Sequence, residues 1–171
     1  MLNRAPTRIE RRQSGTTLIE VAVALLVLSF GMLGIVGVQA VSLRANQSAY
    51  FRTIATTLSV DVLERMRANL VGVENGDYDD VAGAATAACF SVGGCTTAQM
   101  AGQDILDWSA LVAAALPSGD SVVCLDSTPE DGTAAANACD GGGTVYAIKI
   151  WWDDNRDGTA ATWYRTSFKP L

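Results

Sequence analysis

The chain has 171 residues, of which 49% are hydrophobic, with 12 Lys and Arg against 18 Asp and Glu and no histidine. A formal charge of −6 argues against a nucleic-acid partner, because phosphate binding relies on clustered Lys and Arg. The missing histidine excludes Ser-His-Asp and Cys-His catalysis and His-containing zinc sites, and the length suits one domain plus an anchor.

The first segment, MLNRAPTRIERRQSG, carries Arg4, Arg8, Arg11 and Arg12 against one acid, Glu10. After Gly15 come T-T-L-I-E and an uncharged run from Val21 to Val38, in which Ser29 is the one polar side chain. As a helix this run is about 27 Å long, close to the hydrocarbon thickness of a bilayer. A secretory signal peptide places its small-residue cleavage site after the apolar stretch, whereas here Gly15 precedes it. A plain anchor has no use for a carboxylate such as Glu20 at its mouth, and ionisable groups in membrane segments mark function by default. The next positive charge after the leader is Arg44, so the positive-inside bias predicts a cytoplasmic N-terminus and a globular part outside the cytoplasmic membrane.

The order basic leader, Gly15, T-T-L-I-E, apolar helix resembles the type III signal of type IV prepilins and pseudopilins. The resemblance implies that a prepilin peptidase cuts after Gly15, that Thr16 becomes the methylated N-terminus, and that Glu20 is an assembly contact. Thr16 stands where most of the family has Phe or Met. Removing residues 1–15 from the 12 basic and 18 acidic side chains leaves 8 and 17, a mature charge of −9.

Gly31, Gly34 and Gly37 suit close helix packing in a membrane, and each also lowers helix propensity by about 1 kcal/mol relative to Ala. Beyond them, Tyr50, Ile54, Leu58, Val62, Met66 and Leu70 recur every four residues, with Leu43, Phe51, Ala55 and Leu63 alongside. This predicts an amphipathic continuation of the same helix, with Asn69 and Gly72 as stop signals. Residues 16–38 are thus the membrane and filament-core helix, 39–70 its amphipathic extension, and 71–171 an extracytoplasmic globular domain.

Residues 72–103 read as loop with a short helix near Ala82–Ala88. A second helix carries Ile105, Trp108, Leu111, Val112, Ala115 and Leu116 on one face and ends at Pro117-Ser118-Gly119. Three strands follow at Ser121–Leu125, Thr144–Trp152 and Thr162–Phe168. In the second, Tyr146, Ile148, Ile150 and Trp152 alternate with Val145, Ala147, Lys149 and Trp151. The expected fold is α+β and pilin-like, a long N-terminal helix packed on a small antiparallel sheet.

The four cysteines, Cys89, Cys95, Cys124 and Cys139, lie beyond the apolar run and form no C-x-x-C pair, so disulfides are expected rather than a zinc or redox motif. Four cysteines allow three connectivities; the sequence-local pairs Cys89–Cys95 and Cys124–Cys139 are favoured, each closing a Gly- and Ala-rich loop.

Asp153, Asn155, Asp157 and Gly158 match the first half of a calcium loop, but Tyr164 occupies the twelfth position, where a Glu is needed. The same residues satisfy a hairpin turn, and no metal or other cofactor is expected. Trp151, Trp152, Trp163 and Tyr164 on adjacent strands read as cross-strand packing before a binding platform. No carboxylate spacing indicates an enzyme.

D-V-L-E-R-M-R-A-N at 61–69, D-W-S-A-L-V-A-A-A-L-P-S-G at 107–119 and V-Y-A-I-K-I-W-W-D-D at 145–154 are similar to minor pilins of the PilV type. This implies a structural role: a minor pilin that joins other minor and major pilins on an inner-membrane assembly platform and primes or caps a type IV pilus for twitching motility and adhesion. The alternative is a minor pseudopilin of type II secretion; a membrane-anchored periplasmic binding module or enzyme ranks below both.

Overall fold

A computed structural model describes Gly15 and residues 17–170. The basic leader up to Ser14, and Thr16, the expected new N-terminus, lie outside the described residues. The chain divides into two compact units, one ending at Ala45 and the other beginning at Asn46.

The first unit holds the apolar part of helix α1, which spans Leu18–Ala68 in all. Every described residue in this unit is exposed. A helix apolar on all sides has no hydrophilic face to give to water, and such exposed surface marks a membrane or partner contact.

In the second unit, α1 buries Phe51, Ala55, Ser59, Val62 and Met66. The expected stripe is displaced from this face at both ends: Tyr50 is 63% and Leu70 50% exposed. A strict four-residue step turns about 40° too far each time at 3.6 residues per turn, so its ends drift off the core. The observed steps of four, four, three and four hold the buried face on one side.

The expected single helix to Leu70 is also interrupted. Asn69 leaves helical geometry (φ −120°, ψ 53°) and caps a short second helix, α2 (Leu70–Asn75), by accepting from the Gly72 backbone N–H. Asn69 ends α1 as expected, but Gly72 lies inside α2; a Cβ there would sit 2.5 Å from the Asn69 side chain. The stop falls at Gly76, whose φ of +83° is the left-handed conformation that favours glycine. The Asn69 amide also donates to the Thr97 carbonyl (2.9 Å) and to Tyr78 Oη (3.2 Å). Tyr78 Oη in turn donates to Asp104 Oδ2 at 2.6 Å. Burial, and next the Asp104 carboxylate, push the Tyr78 hydroxyl far above its ordinary pKa.

The short helix expected near Ala82–Ala88 is a 3-10 turn at Ala87–Phe90. Helix α3 spans Thr97–Ala115 and begins eight residues earlier than the apolar face at Ile105 indicates. Thr96 and Gln99 form a reciprocal capping box at its start, a T-x-x-Q signal present in the sequence. α3 is fastened to α1 by Trp108, fully buried, whose Nε1 donates to the Leu58 carbonyl at 2.8 Å.

Strands β1 (Asp120–Leu125), β2 (Tyr146–Trp152) and β3 (Thr162–Phe168) form an antiparallel meander with β2 in the centre. Ile148 lies opposite Val123 and Thr166, and Ile150 opposite Ser121 and Tyr164. Tyr146, Ile148, Ile150 and Trp152 enter one core with Val62 and Met66 of α1 and Trp108 and Val112 of α3. The architecture is α+β and pilin-like.

The other face of β2 is not open to water. Ala147, Lys149 and Trp151 are buried too, beneath the segment between β1 and β2. That segment is tied at its base by a Cys124–Cys139 disulfide. Its Glu130 pairs with Arg165 of β3, and Asp131 lies 3.3 Å from Lys149 Nζ.

Candidate functional site

Glu20, the expected assembly contact, lies at the N-terminal end of α1, and Gly15, the expected cleavage residue, precedes the helix. Gly15 is exposed and outside the helix. The Thr17 carbonyl accepts from the Glu20 and Val21 amides at 3.0 and 3.3 Å, which starts the helix and places Glu20 in its first turn. A carboxylate there interacts favourably with the positive end of the helix dipole. Leu18 and Ile19, flanking this turn, are 89% and 72% exposed.

Among the described residues, one helix is long and apolar enough to cross a membrane. Ser29 does not break that character, because its hydroxyl donates to the Leu25 carbonyl at 2.7 Å. A Cβ added at Gly31, Gly34 or Gly37 would meet nothing within 4 Å. The chain's own packing therefore does not require these glycines; their small size counts only against lipid or another chain.

The remaining sequence candidates lie in the second unit. The structure bonds Cys89 to Cys95 and Cys124 to Cys139. Cys124, Cys139 and Asp126 approach one another closely, but both sulfurs are in the disulfide and Asp126 is paired with Lys149, so no metal set is on offer. In the D-D-N-R-D-G turn, Asp153 is buried and its two oxygens accept from the backbone amides of Asp157 (3.1 Å) and Gly158 (2.7 Å). Asp157 accepts from Thr159 N at 2.8 Å and from Asn155 Nδ2 at 3.0 Å. These side chains are occupied in closing the turn, with the Arg156 and Gly158 backbones at positive φ. The aromatic residues are divided between the two faces of the sheet. Trp151 lies opposite Trp163 on the outer face, and the Arg165 guanidinium sits 3.4 Å over the Trp163 ring. Trp152 and Tyr164 face the helices.

Sequence reading missed one group, the buried pair Lys149–Asp126. Its available signal was a lone Lys within V-Y-A-I-K-I-W-W, apolar on both sides.

Residues 11–36 match the family described as the prokaryotic N-terminal methylation motif. The match spans Gly15, Thr16, Glu20 and most of the apolar run, and it indicates a type IV pilin or pseudopilin. No curated protein and no solved structure matches the chain. The motif implies processing by a prepilin peptidase and assembly with other pilins, and together with the exposed apolar helix it fits membrane anchoring.

Proposed function

We propose that the chain is a minor pilin of a type IV pilus. It is cut after Gly15, methylated at Thr16, held in the inner membrane by residues 16–38 with its globular domain in the periplasm, and then incorporated with other minor and major pilins to prime or cap the filament. The observation that carries this reading is the methylation motif lying directly on an apolar helix whose surface the chain itself leaves uncovered. The pilin-like architecture supports a structural role rather than catalysis.

Glu20 gives the reading its mechanism. A carboxylate at the centre of a bilayer costs about 2.5–3.5 kcal/mol on insertion scales, and less near its edge. Packing of apolar helices into a filament core lowers the local dielectric, so the carboxylate needs a cation there. Cleavage after Gly15 creates one, the α-amino group of Thr16 on the same or a neighbouring subunit.

The test is complementation of a strain lacking this gene, with processed protein quantified in parallel. Glu20→Ala is expected to leave cleavage and membrane insertion intact while abolishing productive incorporation, and Glu20→Asp to be intermediate. Full piliation by Glu20→Ala at matched protein levels overturns the assembly role of Glu20. Normal pili together with a defect in protein export from the deletion strain assigns the chain to a secretion pseudopilus instead.

A further inference from the structure

The buried pair Lys149–Asp126 has the parts of a reaction as well as those of an ion pair. Lys149 Nζ lies 2.6 Å from Asp126 Oδ2, and both side chains are fully buried. The approach is close, yet Oδ2 accepts no hydrogen bond. The Nζ protons go instead to the carbonyls of Asn137 (2.9 Å) and Asp131 (3.2 Å) and to Asp131 Oδ1 (3.3 Å). The nitrogen thus stands beside the carboxyl group with no proton directed at Oδ2, and Cγ is one bond beyond.

The two oxygens of Asp126 are held unequally. Oδ1 accepts from the Thr128 backbone N–H at 2.9 Å, which polarises it as a carbonyl oxygen. Oδ2 has no such donor and is the oxygen free to leave. A third carboxylate, Asp131, meets Nζ through Oδ1 and is steadied through Oδ2 by the Thr128 hydroxyl at 2.9 Å. The Asp131 side chain is half exposed, so it joins a buried amine and a buried carboxyl group to solvent.

We propose that Lys149 and Asp126 condense to an intramolecular amide, a covalent tie between strand β2 and the segment that covers it, with Asp131 as the proton carrier. The freshly folded chain holds the two groups as an ion pair. One Nζ proton then passes through Asp131 to Oδ2, and the freed amine attacks Cγ. Negative charge develops on Oδ1, where the Thr128 N–H stabilises it. A second Nζ proton follows the same route, the Cγ–Oδ2 bond breaks, and Oδ2 leaves as water past Asp131. One N–H remains on the amide, and the Asn137 carbonyl is placed to accept it. The step needs no oxidant and no co-reactant. Groups held in contact react at effective molarities on the order of 10⁵ M or more. Condensation also removes two charges whose desolvation cost the ion pair only offsets.

The experiment uses the full chain purified from membranes, with its disulfides reduced and alkylated before digestion. Mass spectrometry is expected to show, in most of the protein, a branched peptide joining Asp126 to Lys149 and lighter by one water than its two parts. Asp131→Asn keeps both reacting groups and should lower the linked fraction at least about tenfold, with Asp131→Glu restoring part of it. Circular dichroism checks that both variants are folded, and the digest of the unsubstituted chain decides the proposal whether or not they are. Separate peptides from that chain, with Lys149 open to acetylation under denaturing conditions, overturn the amide. An equal linked fraction in folded Asp131→Asn overturns the role of Asp131.

Discussion

Lys149 Nζ lies 2.6 Å from Asp126 Oδ2, and neither side chain is exposed to solvent. The ammonium also donates to the Asn137 carbonyl at 2.9 Å and the Asp131 carbonyl at 3.2 Å. A charge from the centre of the sheet thus holds down the segment that covers it. Two ions have been taken out of water to do so, and their attraction only offsets that cost while both are present.

Removing one partner therefore leaves an uncompensated buried charge. Lys149→Met or Asp126→Leu is expected to destabilise the globular domain by about 3–5 kcal/mol, whereas the double replacement should recover most of the loss. Urea denaturation of the four proteins as a double-mutant cycle measures this. A full-sized loss in the double variant would show that the pair holds the covering segment by geometry that no apolar pair supplies.

The two disulfides should differ in worth. Cys124 and Cys139 are 15 residues apart, and Cys89 and Cys95 are 6 apart. Closing the longer loop removes more disorder from the unfolded chain, about 3 kcal/mol against about 2 in the chain-entropy model. The Cys124→Ser/Cys139→Ser variant also frees the segment over Lys149, so its loss should exceed that of Cys89→Ser/Cys95→Ser. Thermal denaturation with and without reductant ranks them, and digestion of unreduced protein with mass spectrometry checks the pairing.

Asp153 closes the turn between β2 and β3 with two charge-assisted hydrogen bonds to backbone amides. Asp153→Ala should destabilise the domain by about 2–4 kcal/mol, since bonds to a charged group contribute about 1.5–3 kcal/mol each and do not add fully. Calcium or a chelator should leave the melting temperature unchanged. A chelator-sensitive melt that Asp153→Ala abolishes would instead assign the loop to a cation.

Stability should fall at both ends of the pH scale, for different groups. The Ser127 hydroxyl, with the amides of Gly142 and Ser127, holds the Asp140 carboxyl below its ordinary 3.8. Thr128, and then Lys149, do the same for Asp131. Depressed groups bind protons more readily in the unfolded chain, so their contribution is intact above pH 3.8 and is lost as pH falls on through the lower folded value. Tyr146 behaves oppositely. Burial, with the Asp79 and Asp77 charges, pushes it from 10.0 to about 12. Its contribution is intact below pH 10.0 and is lost as pH rises through about 12. Melting temperature against pH is expected to show both limbs, with Asp140→Asn flattening the acid one and Tyr146→Phe the alkaline one.

Local pattern was enough wherever one stretch of chain carried its own signal. The apolar run from Val21 to Val38, the motif around Gly15 and Glu20, and strand β3 at Thr162–Phe168 were legible because each rests on composition or period within a few turns of backbone. The class of fold followed from the same periods. Tertiary structure decided the rest. The buried face of α1 runs through Phe51, Ala55, Ser59, Val62 and Met66, with Ile54 and Leu58 packed at its margin and Tyr50 off it, because small angular drifts accumulate over successive turns. The break at Asn69 depends on Tyr78 and Thr97, partners that come from later loops. Lys149 reads from alternation as a solvent-facing residue, yet it is buried, because Asp126 and Asp131 return over it on a disulfide-closed segment. Charge pairing between positions 23 residues apart leaves no periodic trace in the chain, and only the folded distance of 2.6 Å brings it to light.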